Sequence, residues 1–289
     1  MKFAYFPGCS AESTARDLHA SALAVARALG IELAEPEGWN CCGATAAHQT
    51  DRLLAAALPA ANLLRARDMK LDLLATCAAC YSRLKWANHL VTTDAALRSQ
   101  VAQALGRDYD GSVRVRHFLE VLLEDSVLAQ IKAAVKRPLS GVKVACYYGC
   151  LLVRPHEVTN FDDPENPTAL DRLVEAVGGE SVEWPHKTEC CGGGLALSRT
   201  DVVINLSNSI LEMARSAGAD CVTVSCPMCQ VNLDLRQQDI EKQTGRRHDL
   251  PIIYITQLLG LALGSAPEEL GLDKLFVPAG KVLAAITAA

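Results

Sequence analysis

The 289-residue sequence has no excess of basic residues: 28 Lys and Arg against 33 Asp and Glu leave a net charge of −5. A nucleic-acid binder would gather Lys and Arg into a patch, so this balance argues against nucleic acid as a partner. A long apolar run is missing too. The most apolar stretch, residues 252–263, is broken by Tyr254, Thr256, Gln257 and Gly260 and falls well short of the roughly 20 residues that a spanning helix needs. The first nine residues hold no apolar segment followed by a small-residue cleavage site, so no signal peptide is expected. These absences predict a cytoplasmic protein without direct membrane insertion.

Cysteine, by contrast, is abundant. Twelve occur, at positions 9, 41, 42, 77, 80, 146, 150, 190, 191, 221, 226 and 229. Stable disulfides are rare in the cytosol, so dense cysteine there points to metal or redox chemistry.

Leaving aside Cys146 and Cys221, the other ten follow one grammar twice. The first half runs from Cys9 to the adjacent pair Cys41-Cys42 and then to Cys77-x-x-Cys80. The second runs from Cys150 to Cys190-Cys191 and then to Cys226-x-x-Cys229. From the adjacent pair onward the offset between copies is constant, and the second copy carries eight extra residues upstream of it. The polar, proline-bearing run 155–167 is the natural place for that insertion. Residues 2–9 align with 143–150, and 115–122 with 252–259. The chain is thus a duplication rather than a short-period solenoid. Its seam is expected near Pro138-Leu139-Ser140-Gly141, giving domains 1–138 and 139–289.

Short apolar segments at 2–6, 142–148, 71–75 and 221–224 read as strands. Residues 11–29, 51–66 and 202–216 carry apolar residues at helical spacing. Alternating strands and helices predict an α/β fold of two tandem homologous domains, each a small, mostly parallel sheet flanked by helices. The cysteines then fall at the carboxyl ends of strands, where such folds place their sites. A helix is expected to start at each C-x-x-C, aiming its N-terminal N–H groups at a bound anion.

Thiolates suit zinc, copper(I) and iron–sulfur clusters. A structural zinc takes four ligands in a tetrahedron, commonly from two C-x-x-C pairs. Each set here offers one C-x-x-C, one adjacent pair and one single cysteine. Adjacent cysteines can hardly both chelate one tetrahedral ion without strain, yet they reach different metals of a larger cluster. The set also holds one thiol more than a four-thiolate cluster uses. Iron–sulfur binding is therefore expected ahead of zinc, and a disulfide framework comes last. Gly8, Gly149, Gly43 and Gly192 let the backbone pass close to inorganic sulfide, besides punctuating turns.

A lone Cys, then Cys-Cys-Gly, then Cys-x-x-Cys, spaced in this way, resembles the cysteine-rich CCG domain. Two copies in one chain resemble the B-subunit family of heterodisulfide reductase, over nearly all of residues 1–260. That resemblance implies one noncubane [4Fe-4S] cluster per domain, each with five thiolate ligands. Carried over by position, the ligands are Cys9, Cys41, Cys42, Cys77 and Cys80, then Cys150, Cys190, Cys191, Cys226 and Cys229. It further implies an oxidoreductase that makes or breaks a disulfide held between the two clusters. The implied partners are a ferredoxin-like iron–sulfur protein (the C-type component) and a flavoprotein (the A-type component). Leu151 stands where methanogen members carry a histidine, which points away from their coenzyme pair; in a bacterium the resemblance would imply a protein-bound lipoyl disulfide or another sulfur carrier instead. The alternative is an electron-transfer CCG subunit of a quinone-linked succinate or glycolate dehydrogenase.

Other residues carry weaker expectations. Cys146 and Cys221 are expected as buried strand residues. His48, His156 and His186 lie near the cysteine loops in sequence, and a proton donor would suit a disulfide site, although surface or core packing is the commoner role. Arg83, Lys85, Lys187 and Arg236 could face an anionic substrate, although solvated charge is the commoner role, and Asn232-Leu233-Asp234 are expected in capping and solvation.

Overall fold

A computed structural model of the chain describes residues 1–44 and 47–287. Among the described residues, eight short strands form two four-stranded sheets. The first contains β1 (Lys2–Phe6), β2 (Glu32–Ala34), β3 (Leu73–Ala75) and β4 (Val115–His117), in the order β2-β1-β3-β4. The second contains β5 (Lys143–Cys146), β6 (Glu180–Ser181), β7 (Cys221–Val224) and β8 (Ile252–Tyr254), in the order β6-β5-β7-β8. Every pairing in both sheets is parallel. The chain therefore folds as two tandem α/β domains of one topology.

The central strands β3 and β7 are buried end to end, as Leu73-Leu74-Ala75 and Cys221-Val222-Thr223-Val224 require. Parallel strands covered by helices on both faces read as continuous apolar runs for this reason. Registers repeat as well: Tyr5 lies opposite Leu74, and its counterpart Cys146 lies opposite Thr223. The edge strands β2 and β6, three and two residues long with exposed Glu32 and Glu180, carry too little pattern to be read from sequence.

Helix boundaries follow local chemistry. Expected over 11–29, the first helix runs Arg16–Ala28, because residues 10–15 form turns around the first cysteine loop. Its chain reversal is made by Gly30 at φ +63°, a conformation that costs glycine nothing. Asp51 caps the helix Arg52–Met69 by accepting from Leu54 N–H at 2.8 Å. The helices Ala78–Thr93 and Pro227–Asp234 begin directly at Cys77 and Cys226, the second with proline at its first position.

The two domains meet over an apolar surface. The most apolar stretch of the chain forms β8 and the helix Ile255–Ala262, all buried, and this helix packs on the Arg16–Ala28 helix of the first domain. Ser21 and Thr256 hydroxyls share a buried 2.7 Å hydrogen bond there. The insertion 155–167 also reaches across: the Tyr81 hydroxyl donates to Thr159 O at 2.9 Å, and Phe161 packs edge-on to Tyr81 and His117. Among the described residues, no helix is long and apolar enough to cross a membrane.

Candidate metal centre

Three loops at the carboxyl edge of each sheet present the cysteines. β1 leads through Pro7-Gly8 to Cys9, the segment after β2 carries Cys41-Cys42, and β3 leads through Thr76 to Cys77. The strand order turns back on itself between β1 and β3, and sheets of this kind open a crevice at that switch point. The second domain repeats the arrangement with Cys150, Cys190-Cys191 and Cys226.

The thiols of each set lie close together. Cys42 and Cys80 Sγ stand 3.4 Å apart, and the equivalent Cys191 and Cys229 Sγ stand 3.6 Å apart. Cys150 and Cys190 are 3.9 Å apart, while Cys9 and Cys41 line one open cleft. Gly43 N–H donates to Cys41 Sγ at 3.4 Å and Gly192 N–H to Cys190 Sγ at 3.3 Å. A Cβ at Gly8 would stand 2.9 Å from Cys80 Sγ, and one at Gly149 3.1 Å from Cys229 Sγ. Only glycine leaves that space, and both residues also hold positive φ. No disulfide joins any of the twelve cysteines.

The crowding perturbs the thiols unequally. Hydrogen bonding from Cys150 holds Cys190 down to about 6. Cys42 is held well below its usual range by hydrogen bonds from Cys41 and Cys80. The Cys226 thiol, across the domain boundary, pushes Cys77 up. Beside them Ala78 N–H donates to Ser225 O at 3.4 Å. The two C-x-x-C turns therefore abut, and the two cysteine sets share a wall. In neither set do three or more thiols close around one point as a single metal ion requires, among the described residues.

A cavity of about 190 Å³ opens on the second set, where Cys150, Cys190, Cys226 and Cys229 line it. Ala44, His48 and Ala78 of the first domain form its opposite wall, with Leu151 and Met228 completing an apolar lining. Of the three histidines, only His48 is brought here. Its Nδ1 lies 3.3 Å from Gly43 O, which orients the ring. His156 sits on the insertion, and His186 bonds Ser209 Oγ at 3.2 Å.

Cys146 and Cys221 sit in β5 and β7 with no exposure, and burial pushes the Cys221 thiol up to about 12. Several charge expectations are corrected. Lys187 is 3% exposed, pairs with Asp171 at 3.0 Å, and lends its carbonyl to Tyr148 and Gly149 N–H, fixing the loop to Cys150. The Tyr148 hydroxyl donates to the same carboxylate at 2.5 Å. Asn232 and Asp234 are likewise buried: the Asn232 amide donates to Cys191 O, and Asp234 accepts from Phe276 and Val277 N–H. Burial pushes that carboxyl up to about 6. Arg83 and Lys85 are half-buried, with Lys85 above the Tyr81 ring, and Arg236 donates to Ala196 O.

Sequence reading missed His117 at the end of β4. Its Nε2–H donates to Thr76 O at 3.1 Å while Nδ1 accepts from Leu119 N–H, so it holds the residue just before Cys77. Complete burial holds its imidazole down to about 3. Its one sequence signal was its place in the repeated segment 115–122.

This topology and thiol arrangement define a duplicated cysteine-rich redox fold. The cysteine-rich domain family, CCG, matches residues 3–85 and again 144–234. The 8-methylmenaquinol:fumarate reductase membrane anchor subunit of Wolinella succinogenes is 35% identical, over 97% of this chain and 99% of that protein. The B subunit of the ferredoxin:CoB-CoM heterodisulfide reductase of Methanosarcina mazei is 30% identical, over 94% of this chain and 93% of its own length. A protein of Archaeoglobus profundus named as like the heterodisulfide reductase B subunit is also 30% identical, with 93% of each chain covered. Among solved structures, a hypothetical protein from Helicobacter pylori superposes with a TM-score of 0.73 at 11% identity, over 96% of this chain and 52% of that one. The chain belongs to the heterodisulfide reductase B-subunit family of duplicated CCG proteins.

Proposed function

We propose that this chain is the catalytic iron–sulfur subunit of a heterodisulfide-reductase-like complex, making or breaking a disulfide between two noncubane [4Fe-4S] clusters. The observation that carries this reading is the pair of five-thiol sets whose C-x-x-C turns abut at Ala78 and Ser225, with a cavity against the second. Cys9, Cys41, Cys42, Cys77 and Cys80 would hold one cluster in domain 1–138. Cys150, Cys190, Cys191, Cys226 and Cys229 would hold the other in domain 139–289, whose last two residues lie outside the described residues. The residues present fit such a group. Each set offers five thiols, more than one ion uses, and Gly8 and Gly149 leave room for the Sγ atoms of Cys80 and Cys229.

When bound, the clusters would supply electrons singly. Reductive cleavage of a disulfide consumes two electrons and two protons and releases two thiols, so two adjoining sites match the demand. Within this scheme Gly43 and Gly192 N–H groups orient ligand sulfur, and the apolar cavity wall excludes water. The Tyr148–Asp171–Lys187 network holds the loop to Cys150. The reductant or oxidant would be a ferredoxin-like iron–sulfur partner served by a flavoprotein, and the complex would be cytoplasmic. A protein-bound lipoyl disulfide or another bacterial sulfur carrier is the substrate class we favour.

The similarity to the 8-methylmenaquinol:fumarate reductase membrane anchor subunit supports a second reading, an electron-transfer subunit of a quinone-linked dehydrogenase. One experiment separates them. Anaerobically purified protein should carry about eight iron and eight sulfide per chain under both readings. Addition of a lipoyl disulfide to the reduced protein should oxidise the clusters and alter their EPR spectrum under the first. Oxidation only by quinone, and only with a membrane partner present, would establish the second instead. Zinc without sulfide would remove both.

A further inference from the structure

In each repeat, the residue three positions after the last ligand cysteine shares that cysteine's helix face. It is Arg83 after Cys80 in the first domain and Asn232 after Cys229 in the second. Asn232 is 1% exposed, and its Nδ2 donates to Cys191 O at 3.1 Å and to Cys191 Sγ at 3.6 Å. Arg83 is half-buried, one turn along the helix from Cys80, whose Sγ stands 3.4 Å from Cys42 Sγ. Cys42 and Cys191 are the second members of the two adjacent pairs. The same helix position beside these ligands thus carries a cation in one repeat and a neutral amide in the other.

We propose that Arg83 and Asn232 are positioning residues that set the reduction potentials of the two sites separately, the first by its charge and the second by a hydrogen bond to thiolate sulfur. This deepens the iron–sulfur reading above and rests on it. Adding an electron to a cluster adds negative charge, which a nearby cation or an N–H···S hydrogen bond stabilises, so each residue raises the potential of its own site. The carboxylates near the first set do not cancel Arg83: Glu12, Glu35 and Glu37 line the open cleft beside Cys9 and Cys41, where solvent and salt screen them. The half-buried guanidinium is screened less.

The test uses the full chain, purified anaerobically, with iron and sulfide counted before a redox titration followed by EPR, with dithionite as reductant and ferricyanide as oxidant. In Arg83→Gln one of two reduction waves moves to lower potential and the other stays, so that the reduced-to-oxidised ratio at the original midpoint falls several-fold. Arg83→Lys restores that wave, because charge rather than shape is responsible. Asn232→Leu lowers the other wave, and Asn232→Asp lowers it further by placing a carboxylate beside Cys191. Unmoved waves with iron retained would overturn the assignment, as would both waves moving together or Arg83→Lys behaving like Arg83→Gln. Loss of one site's iron in Arg83→Gln or Asn232→Leu would overturn it too, since the side chain would then be holding the site rather than tuning it. Wild-type protein without iron and sulfide would remove the iron–sulfur reading itself, a result distinct from all of these.

Discussion

The two halves of the molecule share strand order, register and cysteine grammar, yet they support their cysteines differently. In the second half, the loop to the first cysteine rests on a buried Tyr148–Asp171–Lys187 network, and a cavity opens beside it. In the first half Pro7 and Gly38 stand at the positions of Tyr148 and Lys187, and Cys9 and Cys41 face an open cleft. Duplication copied the thiols and their backbone cradles. Divergence acted on what surrounds them, which is how one fold can hold two similar groups in unequal environments.

The largest test of this comparison removes one ligand from each half. Cys42→Ser and Cys191→Ser should each lose one site, roughly halving iron and sulfide and leaving the other site's EPR signal in place. Iron unchanged in either variant would break the equivalence of the halves. Next, Lys187→Met should destabilise the protein by about 3–5 kcal/mol, because it leaves the Asp171 carboxylate buried and unpaired. Thermal unfolding would register this as a lowered Tm, and no substitution in the first half can reproduce it through the same contact.

His117 supplies a contrast of pH, since Tyr254 occupies its position in the second half. The unfolded chain binds a proton on this imidazole below about 6.5, whereas the folded protein resists it down to about 3. Between those values the unfolded state holds the extra proton, so stability falls as pH is lowered through that window and is fully present above it. The loss should reach a few kcal/mol, and denaturant unfolding of His117→Gln should show a flatter pH dependence than wild type. A smaller effect is expected from Tyr81→Phe. It removes a cross-domain hydrogen bond and should cost about 1 kcal/mol, with both sites' iron retained. Smallest of all at the metal sites, Cys221→Ala should leave iron and sulfide content unchanged.

The duplicated grammar, the constant offset and the strands leading into each C-x-x-C are legible because they are local in the chain. So are the helices from 52 and 200 onward, whose apolar faces repeat at helical spacing. Asn232 and Lys187 read as solvated in sequence because polarity there says nothing about what lies opposite. The Cys191 loop buries Asn232 from a distant part of the chain, and Lys187 is met by the carboxylate of Asp171. His117 escapes notice for the same reason, since its partner is a carbonyl at Thr76. The insertion is visible as extra residues in the second copy, but its hold on Tyr81 depends on the other domain.

Composition and spacing alone determined that this chain is a duplicated, cysteine-bearing α/β protein, because ligand grammar and hydrophobic period are properties of neighbours along the chain. Tertiary structure alone decided that the two C-x-x-C turns touch, that His48 of one half faces Cys150 of the other, and which polar groups serve the thiols. Those relations arise when the apolar helix 255–262 is buried against the first domain. The hydrophobic drive that buries it is non-directional, and the groups it brings together are recorded nowhere in the local sequence.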